Sequence, residues 1–292
     1  VFYNDQYTGD FIQNIENPYN LGITFEPYSD MFSLYENRVI LTDLSQDFLN
    51  SALKKINKNL DRQYLKGHIT QDKVHSSLKN IVCSTNLNLL KDCDLVIEAV
   101  KEDFNIKSKI FSQLDQICIS KTIFATNTSS ISINDLSQST SRPEKFIGMH
   151  FMNPVPIMKL VEIIKGNKTS KGTLNFITEL TLKIEKTPVQ CNDSPGFVSN
   201  RILMPLINEA AYTYMEGVAS AESIDEIMKL GMGHPMGPLK LADLIGIDVC
   251  ISIMQVLLDG FQNKKYTICP LLVEMNKNGK LGVKTSEGFY KY

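Results

Sequence analysis

From Val39 to about Cys191, short runs of β-branched and apolar residues alternate with longer amphipathic segments, the pattern of βα units around a mostly parallel sheet. The predicted strands are 39–42 (VILT), 95–100 (LVIEAV), 122–126 (TIFAT), 146–151 (FIGMHF), 159–164 (KLVEII) and 188–191 (PVQC). Each has the length of a buried strand. Between the first two lies a polar, lysine-rich stretch from Gln46 to His75 whose apolar positions Phe48, Leu49, Ala52, Leu53, Ile56 and Leu60 have helical spacing. After Cys191 the texture changes. The punctuating NDSPGF is followed by helical periodicity through RILMPLINEAAYTYMEG, ESIDEIMKLG, ADLIGIDVCISIMQVLLDG and CPLLVEMNKNGK. We place a domain boundary between residues 192 and 193. Asp193 or Ser194 is the expected cap of the next helix, and Pro195 suits its opening.

With 292 residues, 43% of them hydrophobic, the chain can bury a core in each of two domains. A formal charge of -2 offers no basic stripe for nucleic acid, so no nucleic-acid partner is expected. Six cysteines (Cys83, Cys93, Cys118, Cys191, Cys250, Cys269) lie in apolar surroundings without C-x-x-C spacing, which predicts reduced, buried thiols rather than a zinc site or a disulfide frame. No apolar run reaches the roughly 20 residues of a bilayer span, and VFYNDQYTGDF has neither a basic nor an apolar region of a signal peptide. A reducing compartment follows: the cytoplasm, or else the mitochondrial matrix or a peroxisome, although GFYKY is not a peroxisomal signal. The opening Val1 leaves room for a longer natural chain.

Candidate chemistry concentrates in a few places. His150, in GMHFMNP, has a bland reading as a core histidine. A strand ending in His, then a proline-broken loop, then a strand carrying Glu162 among Leu160, Val161, Ile163 and Ile164 favours a base with its orienting acid. A carboxylate in that setting is costly without a partner, and an imidazolium supplies one. In TIFATNTSSISI an apolar run stops at Asn127, Thr128, Ser129 and Ser130, at the carboxyl end of a strand where open α/β sheets bind ligands. A capped turn, with Ser130 starting a helix near Ile133, fits those residues equally well. Asn200 is a site residue or an exposed helical one. Asp43, closing VILTD, is the ribose-binding acid of a dinucleotide fold or an ordinary turn residue.

Taken together, DLVIEAV, ATNTSSISI, IGMHFMNPVPIMKLVEIIKG, DSPGFVSNRILMPLINEA, HPMGPLKLADLIGIDVC and GFYKY resemble the L-3-hydroxyacyl-CoA dehydrogenase family, in its 3-hydroxybutyryl-CoA branch, from about Val39 to Tyr292. The resemblance implies a Rossmann-type, doubly wound, mostly parallel α/β sheet over residues 1–192, with 1–38 atypical, then an all-helical domain over 193–292 for substrate binding and dimerisation. It implies NAD as cofactor, an acyl-CoA substrate, a homodimer, and a place in fatty-acid β-oxidation or butyrate metabolism. By resemblance His150 is the general base and Glu162 its partner, while Ser129 and Asn200 hold the substrate's oxygen functions. Asp43, Ala99, Glu102, Lys107, Asn127 and Asn153 line the cofactor side, and Asn59 and Lys66 approach the CoA tail, with a solvated helix face as their alternative reading.

The family opens with a strand and G-x-G-x-x-G, whose glycines allow a tight turn against the pyrophosphate. Counting back from Asp43 without gaps, those positions fall on Asn20, Gly22 and Phe25, so only Gly22 is left as a cofactor-binding glycine. Pro27 stands in the intended helix, and Pro18 in IQNIENPYN argues against a central strand. Two further readings stay open: a cofactor-free structural or acyl-CoA-binding relative, as the lambda-crystallins look to be, and a sibling dehydrogenase acting on a sugar acid.

Overall fold

The computed structural model describes residues 19–24 and 29–292. Eight strands form one sheet in the order β3-β2-β1-β4-β5-β6-β7-β8. They are β1 (Asn20–Ile23), β2 (Arg38–Thr42), β3 (Ile81–Ser84), β4 (Leu95–Glu98), β5 (Ile123–Thr126), β6 (Phe146–Phe151), β7 (Leu160–Lys165) and β8 (Thr187–Asn192). All neighbours run parallel except β6 and β7, which are antiparallel. The six strands expected from apolar runs are present within a residue or two.

Two strands were not anticipated. β3 is a four-residue edge strand with half-exposed side chains, and its IVC is too short an apolar run to stand out. β1 occupies the central slot between β2 and β4 despite its polar approach. Leu21 and Ile23 are fully buried there, and Asn20 N–H is met by the Asp94 carboxylate. Pro18, Phe25 and Pro27 lie outside the described residues.

Alternation along the strands feeds two cores, one per face of the sheet. Leu95, Ile97, Ala125, Ile147, Met149, Val161 and Ile163 join Leu49, Ile56 and Leu60 of α2 (Gln46–Leu65) and Ile177 and Leu180 of α6 (Lys171–Lys183) on one face. Val96, Phe124, Phe146 and Ile164 join Phe111 and Leu114 of α4 (Phe104–Ile117) and Ile133 and Leu136 of α5 (Ile133–Ser137) on the other. Ser45 caps α2, accepting from Phe48 N–H. The lysine-rich stretch then breaks at Gly67 into α2 and α3 (Gln71–Lys79), and the short α1 (Ser29–Leu34) packs beside them.

Beyond β8 the helices build a third core on Met204, Ile207, Ile247, Met254, Leu257 and Leu272, with a smaller cluster of Ala210, Ala221, Ile224 and Leu239 beside it. Its helices are α7 (Ser199–Met215), α8 (Ala221–Met232), α9 (Pro238–Ile245), α10 (Ile247–Phe261) and α11 (Pro270–Lys277). The apolar stretch that reads as one helix is two, turned through 98° at Gly246, whose φ is 106°. Among the described residues no single helix is long and apolar enough to cross a membrane.

Candidate active site

The antiparallel register of β6 and β7 sets His150 directly opposite Glu162. Cross-strand neighbours on one face have side chains within touching distance, and here the imidazole Nδ1 lies 2.8 Å from the Glu162 Oε2. Both residues are buried. A carboxylate only accepts, so Nδ1 carries the proton and donates it, which leaves Nε2 with its lone pair; Nε2 has no hydrogen-bond partner among the described residues.

Glu162 is further held from the helical domain. Ser199 N–H donates to Oε1 at 3.0 Å and Ser199 Oγ to Oε2 at 2.8 Å. Burial pushes the Glu162 carboxyl upward, but the hydrogen bonds from His150 and from the Ser199 side chain and backbone outweigh it and hold the group below the ordinary carboxylate range. The expected caps of α7 are thereby corrected. Asp193 instead accepts from Ser132 Oγ and from the backbone and amide of Asn134, binding α5 to the end of β8. Helix α7 starts at Ser199 and is preceded by Val198, which makes no side-chain cap. The Glu162 carboxylate takes that place, because the helix reaches the sheet at this point and a buried anion there satisfies free N–H groups.

The end of β5 supplies the second half of the site. Asn127 accepts Phe151 N–H at 2.9 Å through Oδ1, tying the strand end beside His150. Thr128, Ser129 and Ser130 wrap the Glu102 carboxylate, whose Oε1 accepts from Thr128 Oγ (2.6 Å), Ser129 N–H (2.9 Å), and the N–H and Oγ of Ser130 (both 3.1 Å). Ser130 therefore does not start α5; Ser132 caps it. The Ser129 hydroxyl makes no hydrogen bond among the described residues, while the Ser129 carbonyl accepts from Asn200 Nδ2 at 2.9 Å. Asn200 is buried rather than an exposed helical residue.

Behind this loop stands a fully buried ion pair. Glu98 shares the face of Val96, toward α4, so Lys107 of α4 reaches its Oε1 at 2.7 Å. Lys107 also donates to the Val100 carbonyl at 3.2 Å and lies 3.4 Å from Glu102 Oε2. Val100 N–H also donates to Glu98 Oε1, and Thr126 Oγ1 satisfies Oε2. A buried pair is tolerable only when its other donors and acceptors are met in this way.

The crevice of an open parallel sheet lies where neighbouring crossovers diverge, here between β1 and β4. The residues there suit a dinucleotide. Asp43 follows β2, half-exposed, its only hydrogen-bond partner among the described residues the adjoining Leu44 N–H, which leaves acceptor capacity for ribose hydroxyls. Ala99 N–H donates to Thr24 Oγ across β1 and β4. Glu102 and Asn127 stand between this crevice and His150, with the buried Lys107 behind Glu102. Gly22 is corrected: it lies inside β1, where a Cβ would fall 2.6 Å from Leu90 Cδ2. An ungapped count assumes the family's spacing between β1 and β2, whereas the strand here sits over two of the counted positions, Asn20 and Gly22. Asn153 is exposed in the loop after β6. Asn59 is half-buried on α2 and Lys66 is its exposed C-terminal cap; neither joins the hydrogen-bonded network.

Sequence reasoning passed over Glu98 and Ser199. An acid inside the apolar run LVIEAV demands a buried partner, and Lys107 on the following helix is the nearest candidate; that signal was readable. Ser199 carried none, since nothing local shows that the start of α7 abuts β7.

Residues 27–194 match the family model described as 3-hydroxyacyl-CoA dehydrogenase, NAD binding domain, and residues 196–292 match that of the 3-hydroxyacyl-CoA dehydrogenase C-terminal domain. The chain is 52% identical over 254 residues to a probable 3-hydroxybutyryl-CoA dehydrogenase of Deinococcus radiodurans, covering 87% of this chain and 91% of the relative. It is 51% identical to the 3-hydroxybutyryl-CoA dehydrogenase of Clostridioides difficile, covering 87% and 90%. The crystal structure of (S)-3-hydroxybutyryl-CoA dehydrogenase from Ralstonia eutropha superposes with a TM-score of 0.92 at 42% identity, over 94% of this chain and 99% of that one.

Proposed function

The chain belongs to the 3-hydroxyacyl-CoA dehydrogenase family, and from that premise we propose that it interconverts L-3-hydroxyacyl-CoA and 3-ketoacyl-CoA with NAD, 3-hydroxybutyryl-CoA being the preferred substrate. The His150–Glu162 pair carries the reading: a buried imidazole held in one tautomer, its Nε2 open beside a ligand-binding strand end.

In the oxidative direction His150 Nε2 takes the proton of the 3-hydroxyl as the C3–H bond breaks. Bound NAD supplies the hydride acceptor. The charge arising on the ring is matched by Glu162, already ionised and aimed at Nδ1, so little reorganisation accompanies the transfer. In reduction the imidazolium returns that proton to the forming alkoxide. The free Ser129 hydroxyl and the Asn200 amide hold the substrate's oxygens, and Glu102 keeps Ser129 in place. Asp43, Ala99, Glu102, Lys107, Asn127 and Asn153 hold the cofactor, and Asn59 and Lys66 the CoA tail. The working form is a homodimer through the helical domain, in the cytoplasm, where the six unpaired cysteines suit a reducing medium.

Loss of NADH absorbance with acetoacetyl-CoA tests the reading. His150→Gln is expected to lower kcat by about 100- to 10,000-fold while NADH affinity holds. An unchanged kcat removes His150 from the mechanism. No turnover by wild type at saturating cofactor, with no NADH binding by calorimetry, leaves the cofactor-free alternative, which the glycine-free connection at residues 24–28 favours.

A further inference from the structure

Ser199 is the first residue of α7, and both of its donors end on the catalytic carboxylate. Its hydroxyl shares Oε2 with His150 Nδ1, each at 2.8 Å, so the serine and the imidazole compete for and jointly aim one oxygen. The next residue, Asn200, grips the carbonyl of Ser129. Two adjacent residues of the helical domain thus touch both halves of the site in the sheet domain.

The approach to Ser199 is built for this contact. Gly196 and Phe197 both stand in the left-handed region, at φ 71° and 52°. A bulky side chain there is disfavoured, and Phe197 is held by burying its ring edge-on against His150, with centroids 5.9 Å apart. The bend directs the first N–H of α7 at β7.

We propose that Ser199 is a positioning residue for the dehydrogenase reaction: seated on the sheet with the helical domain, its hydroxyl shares Glu162 Oε2 with His150 and so limits how strongly that carboxylate holds the imidazole's proton. It presupposes the His150 base assigned above. The other groups facing the pair do not perform this task. Cys191 on β8 is neutral, its thiol pushed up to about 11 by burial and by the charges of Glu162 and Asp193. Asp193 is engaged by Ser132 and Asn134. Arg201 turns away to Ser194 Oγ and the Phe261 ring.

The sign of the effect follows from the O–H dipole, whose positive end lies on Oε2. Removing it makes the potential around the pair more negative, so the imidazole holds its proton to higher pH. Removing the carboxylate charge does the opposite. In kcat/KM against pH for (S)-3-hydroxybutyryl-CoA oxidation, Ser199→Ala is expected to move the acidic limb upward by about half a pH unit. Glu162→Gln is expected to move it downward, and Ser199→Thr, which keeps the hydroxyl, to restore the wild-type position. A fall in kcat with the limb in place is the signature of a merely structural serine and overturns the proposal. If Ser199→Ala does not fold, Ser199→Cys, a weaker donor, gives a smaller upward movement, and no movement there is equally decisive. An inactive wild type, or a Glu162→Gln limb that stays put, strikes instead at the His150–Glu162 assignment.

Discussion

At Glu162, burial and hydrogen bonding pull in opposite directions, and the outcome sets how the protein responds to acid. Three donors prevail over desolvation and hold the carboxyl below its ordinary 4.5. A group whose folded value is depressed contributes stability that is fully present above its unfolded value and is lost as pH falls through the folded one. The unfolding free energies of wild type and Glu162→Gln, measured by urea titration, should therefore differ most near neutrality, and the gap should narrow below about pH 4.5. A gap independent of pH means that Glu162 is not ionised by its partners. The same residue shows why single side chains were partly legible: an acid among Leu160, Val161 and Ile163 announces a partner without naming it. His150 was the candidate from sequence because it closes the preceding strand, and the β-register settled the pairing.

Among the elements, the clasp between α9 and the end of the chain shows how a polar core is assembled. Asp243 is fully buried, and its carboxylate accepts from Phe289 N–H, Tyr290 N–H and the Tyr292 hydroxyl. Asp225 of α8 does the same for Leu239 and Lys240 N–H at the start of α9 and for the Tyr290 hydroxyl. Asp243→Ala strips three part-buried donors of their acceptor, and a loss of about 1–3 kcal/mol is expected in chemical denaturation. Gly288→Ala places a Cβ 2.0 Å from Asp243 Oδ1 and should destabilise the same clasp. A change below about 0.5 kcal/mol in both variants means the clasp adds nothing measurable. Strands β2 and β4 to β7 were readable because strands buried on both faces need unbroken apolar runs, while the exposed edge β8 showed itself only by its short PVQC run before the NDSPGF break. β1 and β3 were not, for one is four residues after a polar approach and the other a half-exposed edge. The single helix expected across Gly246 became two because periodicity is blind to a change of axis at a left-handed glycine.

For the whole molecule, the helical domain presents apolar side chains to solvent: Ile202 on α7, Ile227, Leu230 and Met232 on α8, and Leu244 on α9, each more than half exposed. Patches of this kind mark interfaces, which supports the proposed homodimer. Light scattering after size exclusion should give about twice the mass of one chain, and Ile202→Lys with Leu230→Glu should shift it toward the monomer. A monomeric wild type at micromolar concentration sinks the dimer. The two-faced core was implicit in the alternation of buried and polar segments, since a chain of βα units has few ways to cover a parallel sheet, but the strand order was not, because β1 and β3 carried no clear signal.

What the sequence determined by itself was local: which runs must be buried, where helices begin to repeat, and which polar residues sit too deep to lack partners. Spacing along the chain encodes those properties directly. What only the tertiary structure decided was non-local: that β7 turns antiparallel and brings Glu162 opposite His150, that β1 holds Asn20 and Gly22, two positions counted for glycines, and that a helix from the second domain starts on the first domain's carboxylate. Such contacts join residues tens of positions apart. Register and domain seating fix them, and no periodicity within either segment records them.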